Sequence, residues 1–311
     1  MAYTNTDTNM TTSSALSAGM QTYYNRELLR TFEPNLVHLQ FGDEHRMPPH
    51  SGLVMNMRKL IPLETNTKAL SEGDPGESVM LAETEVTVQL QQYGEYARCT
   101  DKLDLTHLDM DIMRRTKLFG DAGARSIDAV VREELAKCAN VIYAGGKASR
   151  AELTAADKLT SRELRKAVKT LKKNHAQTFG GYFVAIIGPD TMYDLQEDEA
   201  FVKVSQYQDK ENIYTGEVGR LFGVRLVETT EAKIFEGAGA SGADVASVIV
   251  LGQYAYGVTS LKGAKPRVIV KPAGSAGTAD PLDQISTVGW KMDGFGAKLD
   301  AGYCENHILV I

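Results

Sequence analysis

A glycine-rich run at residues 237–242 is the stretch whose spacing most directly suggests chemistry. It matches the G-x-G-x-x-G pattern of dinucleotide-binding loops letter for letter. Such a loop needs a strand before the glycines and a helix after them, because the amino end of that helix meets the pyrophosphate. Here residues 243–251 read as a strand, and after Asp244 the next acid is Asp280, which is not the spacing that binds a ribose. The run therefore favours a surface loop, and no cofactor is expected.

Side chains that could hold a metal or form a catalytic pair are scattered. Of the six histidines only His45 and His50 are close in sequence, and their spacing completes no ligand set with a carboxylate or thiol. Asp109 and Asp111 precede a predicted helix, where carboxylates stabilise the amino terminus. No Ser, Cys or Thr lies in a nucleophile-elbow context, and no Walker-type phosphate loop is present. These patterns predict a protein without a metal site and argue against an enzyme, although distant segments of a chain can also form an active site.

One segment is strongly basic. Its cations are Lys158, Arg162, Arg165, Lys166, Lys169, Lys172 and Lys173. Only Glu163 opposes them within the predicted helix, and contact with phosphates would be non-specific and sensitive to salt. No aromatic residue is interleaved in residues 158–174, so base stacking is not indicated. The pattern favours a solvated face, or one that meets an acidic surface on a neighbour, and leaves DNA contact as the alternative.

Composition bounds the class of protein. A net charge of −6 and a pI near 5.6 argue against a chain that wraps nucleic acid, but not against one that encloses it. Cys99, Cys138 and Cys304 are odd in number and scattered, which argues against a disulfide framework. The apolar runs 182–187 and 245–251 are too short to span a bilayer, and the amino terminus lacks the features of a secretory signal. We expect a cytoplasmic protein with no membrane contact.

The clearest predicted element is a helix at residues 121–144, just before a glycine pair. Its apolar residues are Ile127, Val131, Leu135, Cys138 and Ile142. Spacings of three and four predict that these residues line one face. Asp128 with Arg132, and Glu133 with Lys137, are acid–base pairs four residues apart, which we place on the outer side. A helix of this length would act as the spine of a domain.

The remaining pattern predicts an α+β fold with no internal repeat. A second helix should begin at Thr160, where Thr160 and Glu163 form a capping box, with an apolar stripe of Leu164, Val168 and Leu171. Pro189 should open a third helix that runs to Leu195. The predicted strands are residues 182–187, 224–228, 245–251, 267–271, 288–292 and 307–311. Before them, residues 1–19 read as a polar arm, followed by a short helix at 17–32.

Two strand-like stretches, residues 53–61 and 85–91, flank a long polar tip at 62–83 that turns at residues 74–76. The apolar row consists of Leu53, Met55, Met57 and Ile61 on one side and Val86, Val88 and Leu90 on the other. Alternation with period two predicts strands with one buried face. Because a two-stranded ribbon is marginal alone in water, this row must be covered by another surface. A ribbon of this length suggests a neighbouring subunit.

The order of these parts resembles the major capsid proteins of tailed bacteriophages, which have the Hong Kong-type capsid fold. The resemblance covers nearly the whole chain and is strongest to the podovirus-like branch. Three phrases carry it: YFVAIIGPD at 182–190, GRLFGVRLVET at 219–229 and VGWKMDGFGA at 288–297. It implies a structural protein of the virion that assembles into an icosahedral shell of hexamers and pentamers around double-stranded DNA. The implied location is the virion capsid, assembled in the host bacterial cytoplasm.

The resemblance also implies a division of the chain. Residues 1–44 would be the amino-terminal arm, 45–100 the extended loop, 101–150 the spine helix of the peripheral domain, 151–285 the axial domain and 286–311 the closing strands of the peripheral domain. The loop would lie over an adjacent subunit. The expected contact residues are Leu63, Glu64, Asn66, Lys68, Leu70, Glu72, Asp74, Met80 and Leu81. Expected partners are further copies of the chain, portal, scaffolding and decoration proteins, and packaged DNA bound without sequence specificity.

Two other interpretations stay open. A cellular nanocompartment shell of the same fold would enclose a cargo protein instead of a genome. A nucleotide-dependent enzyme would use the loop at 237–242, and a bulky residue at Gly239 would then abolish activity, whereas a shell protein should tolerate it. Some members of the resembled family join neighbours through a Lys–Asn isopeptide bond. Asn66 and Lys68 lie on the tip, but no motif shows this chemistry and none is expected.

Overall fold

The fold was established with a computed structural model that describes residues 25, 26, 28, 30, 36–48, 50–60, 63, 66–69, 73, 78–102, 112–198, 220–261, 265–275, 280–298 and 307–311. Its helices are α1 (Ile112–Leu135), α2 (Ser161–Lys173) and α3 (Pro189–Glu197). Its strands are β1 (Asp43–Met47), β2 (Val54–Leu60), β3 (Glu83–Gln89), β4 (Gln91–Thr100), β5 (Val141–Ile142), β6 (Phe183–Ile187), β7 (Arg220–Leu221), β8 (Val224–Glu228), β9 (Ile234–Phe235), β10 (Val245–Ala246), β11 (Val248–Leu251), β12 (Gly257–Leu261), β13 (Arg267–Lys271), β14 (Ile285–Lys298) and β15 (His307–Val310). The α+β prediction is confirmed.

A five-stranded sheet is organised around β14, which spans 14 residues. β4, β12 and β13 pair with β14 in antiparallel register, and β1 runs parallel to β12. The pairing with β4 shifts between Met292 and Phe295, where Gly294 has a positive φ of 66°. A β-bulge of this kind bends a strand. Only residues 288–292 were predicted as a strand here, so β14 is much longer than expected.

The spine helix α1 is displaced from its predicted position. It has 24 residues, about 36 Å at 1.5 Å per residue, but begins nine residues earlier and ends at Leu135. Beyond it the chain turns, and Ile142 lies in β5 instead, paired beside Val310. Cys138 is buried next to this turn. The turn and β5 also contribute apolar residues to the core, and these residues happen to continue the helical spacing. The predicted helix was therefore extended past the true end of α1.

The two predicted surface pairs on α1 are wrong. Asp128 is fully buried instead of facing outward. Glu133 contacts Lys233 at 2.8 Å through both carboxylate oxygens, and not Lys137, which pairs with Glu134. Burial would raise the pKa of Glu133, but hydrogen bonds from Lys233 and Arg132 outweigh it and lower that pKa. The outer side of α1 is therefore tied to the loop between β8 and β9.

A six-stranded sheet has the order β5–β15–β11–β6–β8–β7. Every residue of β6 is buried. Val184 and Ile186 face the apolar cluster that contains α1, whereas Phe183, Ala185 and Ile187 face the cluster that contains α2 and α3. Residues covered on both faces form a continuous apolar run in place of an alternating one. This explains why the run at 182–187 was recognisable as a buried strand.

The carboxyl-terminal strand β15 lies between β5 and β11, with all its residues buried, as its apolar sequence predicted. It belongs to the six-stranded sheet, whereas β14 belongs to the five-stranded one. The prediction grouped residues 286–311 as closing strands of one domain, and this assignment stays a prediction although β14 and β15 belong to different sheets. The pairing of β15 with β5 and β11, and of β14 with β4, decides sheet membership, and a local pattern does not contain these partners.

The predicted second and third helices are confirmed. Leu164, Val168 and Leu171 are buried on α2, and Pro189 begins α3. Thr160 is the residue preceding α2, but its hydroxyl donates to the Glu163 carboxylate and accepts no capping hydrogen bond from a backbone amide. The strand at 245–251 is interrupted at Ser247, so β10 and β11 are separate elements.

His307 on β15 gives the fold a testable pH dependence. Burial lowers the pKa of His307 to about 3, so the folded chain keeps this ring neutral. The unfolded chain binds a proton below its ordinary pKa of 6.5, and stability must fall as the pH drops through this window. We expect His307 to account for a loss of about 2 kcal/mol between pH 8 and pH 5.

Urea unfolding at several pH values, followed by the fluorescence of the single tryptophan Trp290, measures this loss. His307→Leu should flatten the dependence between pH 6.5 and 4 relative to the natural chain. His175→Asn is a matched control, because His175 is exposed and its positive φ of 56° suits asparagine. Equal slopes for His307→Leu and the natural chain would contradict the assignment.

Candidate functional site

The predicted ribbon is present, formed by β2 and β3. They pair in antiparallel register from Val54 opposite Gln89 to Leu60 opposite Glu83. The flanking strands β1 and β4 belong to the five-stranded sheet, so the paired ribbon is shorter than the predicted loop at 45–100. It projects from the body as a separate two-stranded sheet.

The base of the ribbon is anchored on β14. Val88 and Leu90 are buried, and Leu90 N donates to Leu53 O at 2.8 Å. Gly296 lies so close to β3 that an added Cβ would be 2.9 Å from Gln89 O and 3.0 Å from Val88 Cγ1. The close approach of the two backbones requires glycine here. Two residues of the predicted apolar row, Val88 and Leu90, are thus covered within the subunit.

The outer part of the ribbon is not covered by the subunit. Large apolar side chains are exposed at Leu63 (55 %), Val79 (63 %), Met80 (91 %) and Leu81 (71 %), and also at Leu53 and Val54. Large apolar side chains left exposed in one segment mark a site of association. Of the predicted row itself, Leu53 is exposed and Met55 is half-buried, whereas the side chains of Met57, Ile61 and Val86 lie outside the described residues. That a neighbour covers the row stays a prediction.

The predicted contact residues fall into two groups. Leu63, Asn66, Lys68, Met80 and Leu81 are described and exposed. Glu64, Leu70, Glu72 and Asp74 lie outside the described residues. Asn66 Oδ1 accepts a hydrogen bond from Lys68 N at 2.9 Å, which forms a local turn at the tip. The contact of these residues with a neighbour stays a prediction.

A groove on the five-stranded sheet was missed by the sequence analysis. It has a volume of about 640 Å³ and lies across β4, β13 and β14. Tyr96 and Ile269 are exposed on its rim, and Trp290 lines it. The alternation of exposed and half-buried residues on β13 could have signalled a half-covered sheet face. That β4 lies beside β14 could not be read locally, because these strands are almost 200 residues apart.

The glycine run at 237–242 connects β9 to β10, a two-stranded hairpin, and does not open a helix. Its amides are already used: Gly237 N donates to Asp244 Oδ1 at 2.7 Å and Ala240 N to Leu153 O at 2.7 Å. An added Cβ at Gly239 would be 2.9 Å from Leu153 O. A bulky residue at 239 would therefore disturb any protein with this fold, so the expected tolerance is wrong.

A buried polar cluster fixes residues 36–42 to α1. Asp128 accepts hydrogen bonds from His38 N at 2.7 Å, from His38 Nδ1 at 2.6 Å and from Leu39 N at 3.3 Å. The Tyr256 hydroxyl donates to His38 O, and burial, followed by the nearby Asp128 charge, raises the pKa of Tyr256. His38, Asp128 and Tyr256 line none of the described cavities. Its geometry suits a structural clamp.

The described residues contain neither a cluster of metal ligands nor a helix that could cross a membrane. Within the described part of the chain, no group of three or more His, Cys, Asp or Glu residues could hold a metal ion. His45 lies on β1 with Nε2 3.3 Å from Asp43, and His50 is exposed in a turn. Asp109 and Asp111 lie outside the described residues. No described helix combines the length and apolarity needed to cross a bilayer.

The ribbon, spine helix and two sheets can be compared with known proteins. The profile of a family described as phage capsid protein matches residues 83–303 of this chain. The chain belongs to that family. This capsid protein is a major capsid subunit of the tailed-phage type, a structural protein that assembles with its own copies into an icosahedral shell. The family and the fold point to a structural role and not an enzymatic one.

Solved structures share the fold of this capsid protein at low sequence identity. The capsid of Ralstonia phage GP4 is 15 % identical, with a TM-score of 0.66, over 96 % of this chain and 93 % of that one. The cyanophage Pam1 capsid is 16 % identical, with a TM-score of 0.66, over 100 % of this chain and 97 % of that one. A virus-like particle from Pyrococcus furiosus is 10 % identical, with a TM-score of 0.54, over 94 % and 99 %. No curated protein sequence matches the chain.

Proposed function

We propose that this capsid protein forms hexamers and pentamers whose shell encloses double-stranded DNA, and that each ribbon lies on an adjacent subunit. The single observation that carries the ribbon contact is the exposed apolar surface at Leu63, Val79, Met80 and Leu81. At about 25 cal/mol per Å², leaving such side chains in water forgoes one to three kcal/mol each, which a second copy recovers by covering them.

The groove on β4, β13 and β14 is the surface on which we place the neighbour's ribbon. It is lined by apolar atoms of Tyr96, Ile269 and Trp290, and its volume of about 640 Å³ admits several side chains. Ribbon and groove lie at different places on one subunit, so the contact is head-to-tail and is repeated by symmetry. Many such contacts of modest strength give a stable closed shell through multivalency.

Further assignments follow from the family. A net charge of −6 suits a container that holds DNA without binding its sequence, because no basic excess wraps the duplex. Portal, scaffolding and decoration proteins are proposed as partners of the assembled shell, and the host bacterial cytoplasm as the place of assembly. The proposed domains remain those of the sequence analysis, although β14 and β15 belong to different sheets.

A nanocompartment shell is the second candidate, favoured by the shared fold with the virus-like particle from Pyrococcus furiosus. Such a shell would contain a cargo protein. The proposed function predicts instead that particles isolated from the chain's natural context hold DNA that survives nuclease.

Expression of the full chain, followed by negative-stain microscopy and sizing, tests the shell. We expect closed particles. Particles from the natural context are then treated with nuclease and their contents separated by gel electrophoresis, with detergent-opened particles as the control. Protected DNA supports the proposal, a protein cargo without DNA supports the nanocompartment, and a chain that stays monomeric under all conditions contradicts both.

A further inference from the structure

The outward face of α2 is basic and is not neutralised by its own subunit. Its exposed cations are Arg162, Arg165, Lys169, Lys172 and Lys173, at helical spacings of three, four and seven that place them on one side. Lys166 reaches Glu163 at 3.6 Å, and Arg165 lies over the Phe222 ring. The five exposed cations form no ion pair with a residue that the structure describes. We call this surface the basic face.

The outward face of α3 is acidic. Asp190, Asp194 and Glu197 occur at spacings of four and three, on the side opposite the buried Met192 and Leu195. Lys158 is the cation found close to them in the described chain, 2.7 Å from Asp194 and 3.6 Å from Glu197. Three carboxylates against one ammonium leave this acidic face negative.

The two faces are adjacent parts of one layer. Buried residues of α2 and α3 pack into the same apolar cluster on the six-stranded sheet. Ser161 N, at the start of α2, donates to Asp198 Oδ2 just beyond α3 at 2.8 Å. The start of α2 is thereby joined to the end of α3, and the buried residues of both helices face the same cluster, so the basic and acidic faces lie on the sides turned away from it. One subunit therefore presents a basic face and an acidic face whose charges its own described residues do not fully neutralise.

A second copy of this chain fits these two faces better than a nucleic acid does. A polyanion on the basic face would lie beside the acidic face and be repelled by it. A neighbour placed by rotation would instead bring its acidic face onto the basic face, and this contact repeats around a ring. Each pair of exposed opposite charges is weak by itself, but several such pairs act together in one contact. Charge complementarity then also selects the rotational register.

We propose that the basic face of α2 binds the acidic face of α3 on the next copy within a capsomer. The contact rests on the proposed ring assembly and is separate from the ribbon contact, because it involves other elements. It makes capsomer formation sensitive to salt, since interactions between exposed charges are screened within about 8 Å at physiological ionic strength.

Charge exchange between the two faces tests the proposal. Variant A carries Arg162→Glu, Lys169→Glu and Lys172→Glu, which leave two cations against three carboxylates on the basic face. Variant B carries Asp190→Lys and Glu197→Lys on the acidic face. In 150 mM salt each alone should yield at least tenfold fewer particles than the natural chain. Circular dichroism and Trp290 fluorescence establish that both are folded. The chain that combines the changes of A and B restores the complementarity with the signs exchanged and should assemble on its own.

Mixing variants A and B gives the sharper result. A copy with two acidic faces and a copy with two basic faces can alternate, so the mixture should form rings with even numbers of subunits although neither variant assembles alone. A matched reversal of three exposed cations on and just beyond α1, Lys117→Glu, Arg125→Glu and Lys137→Glu, should leave assembly unchanged.

Several results would overturn the contact while leaving the shell itself in place. These are normal assembly of A and B, failure of both the combined chain and the mixture, or an equal loss in the control reversal at α1, which would attribute the effect to net charge. If variant A formed normal shells that lack DNA and variant B behaved like the natural chain, the basic face would contact the packaged polyanion instead. Absence of particles from the natural chain would contradict the proposed function, and not this contact alone.

Discussion

Removal of residues 63–81 is expected to yield a folded subunit that forms no shells. Leu60 and Glu83 are paired at the outer end of the ribbon, so the three residues left between them close a short hairpin without disturbing the base. Val88 and Leu90, which anchor the ribbon, stay buried on β14. The deletion removes the exposed apolar side chains that we place on a neighbour. Particle yield should fall by at least two orders of magnitude.

Sizing and negative-stain microscopy measure the yield, and Trp290 fluorescence establishes that the variant is folded. A chain in which residues 63–81 are replaced by a Gly-Ser segment of equal length separates the loss of side chains from the loss of length, and it should also fail. The double variant Thr67→Ala and Ser78→Ala changes only polar tip residues and should assemble. Normal particles from the deletion would refute the ribbon contact.

Asp128→Ala is expected to have the largest effect on the stability of the subunit. The change leaves His38 N, His38 Nδ1 and Leu39 N without their buried acceptor, while residues 36–42 lose their attachment to α1. Each buried donor left without an acceptor costs about 1–3 kcal/mol, so the three together should cost at least about 3 kcal/mol. Urea unfolding of the unassembled subunit should show this loss as a lower midpoint.

Asp121→Ala is the matched control on the same helix. Asp121 is exposed and contacts Arg125 at 3.1 Å, and exposed pairs of this type contribute a few tenths of a kcal/mol. A loss below about 1 kcal/mol for Asp128→Ala, or equal losses in the two variants, would show that the buried cluster does not fix residues 36–42.

The sequence pattern predicted those elements whose buried residues can be recognised from their immediate neighbours in sequence. β8 and β13 have the predicted bounds, and the two strands of the ribbon pair as expected. Where the position of a side chain depends on a partner far away in sequence, the prediction was wrong. Asp128 was placed on the surface because an arginine follows four residues later, whereas its partner, His38, is 90 residues away.

The candidate site divides in the same way. The exposed tip around Met80 was predicted, since polar residues and turn signals surround it in sequence. The groove was not, because β4 and β13 meet only through their shared neighbour β14. The basic face of α2 was visible as a run of cations, but the acidic face beside it required the packing of α3.

Oxidation of Met80 by peroxide tests the central claim most directly. In the single subunit Met80 is 91 % exposed, and exposed thioethers oxidise to the sulfoxide far faster than buried ones. Peptide mass spectrometry of assembled particles and of dissociated subunits gives the rate in each state, with the buried Met192 and Met292 as internal references. If a neighbouring copy covers the ribbon, Met80 is oxidised at least tenfold more slowly in particles. Equal rates in the two states would mean that no subunit covers the tip.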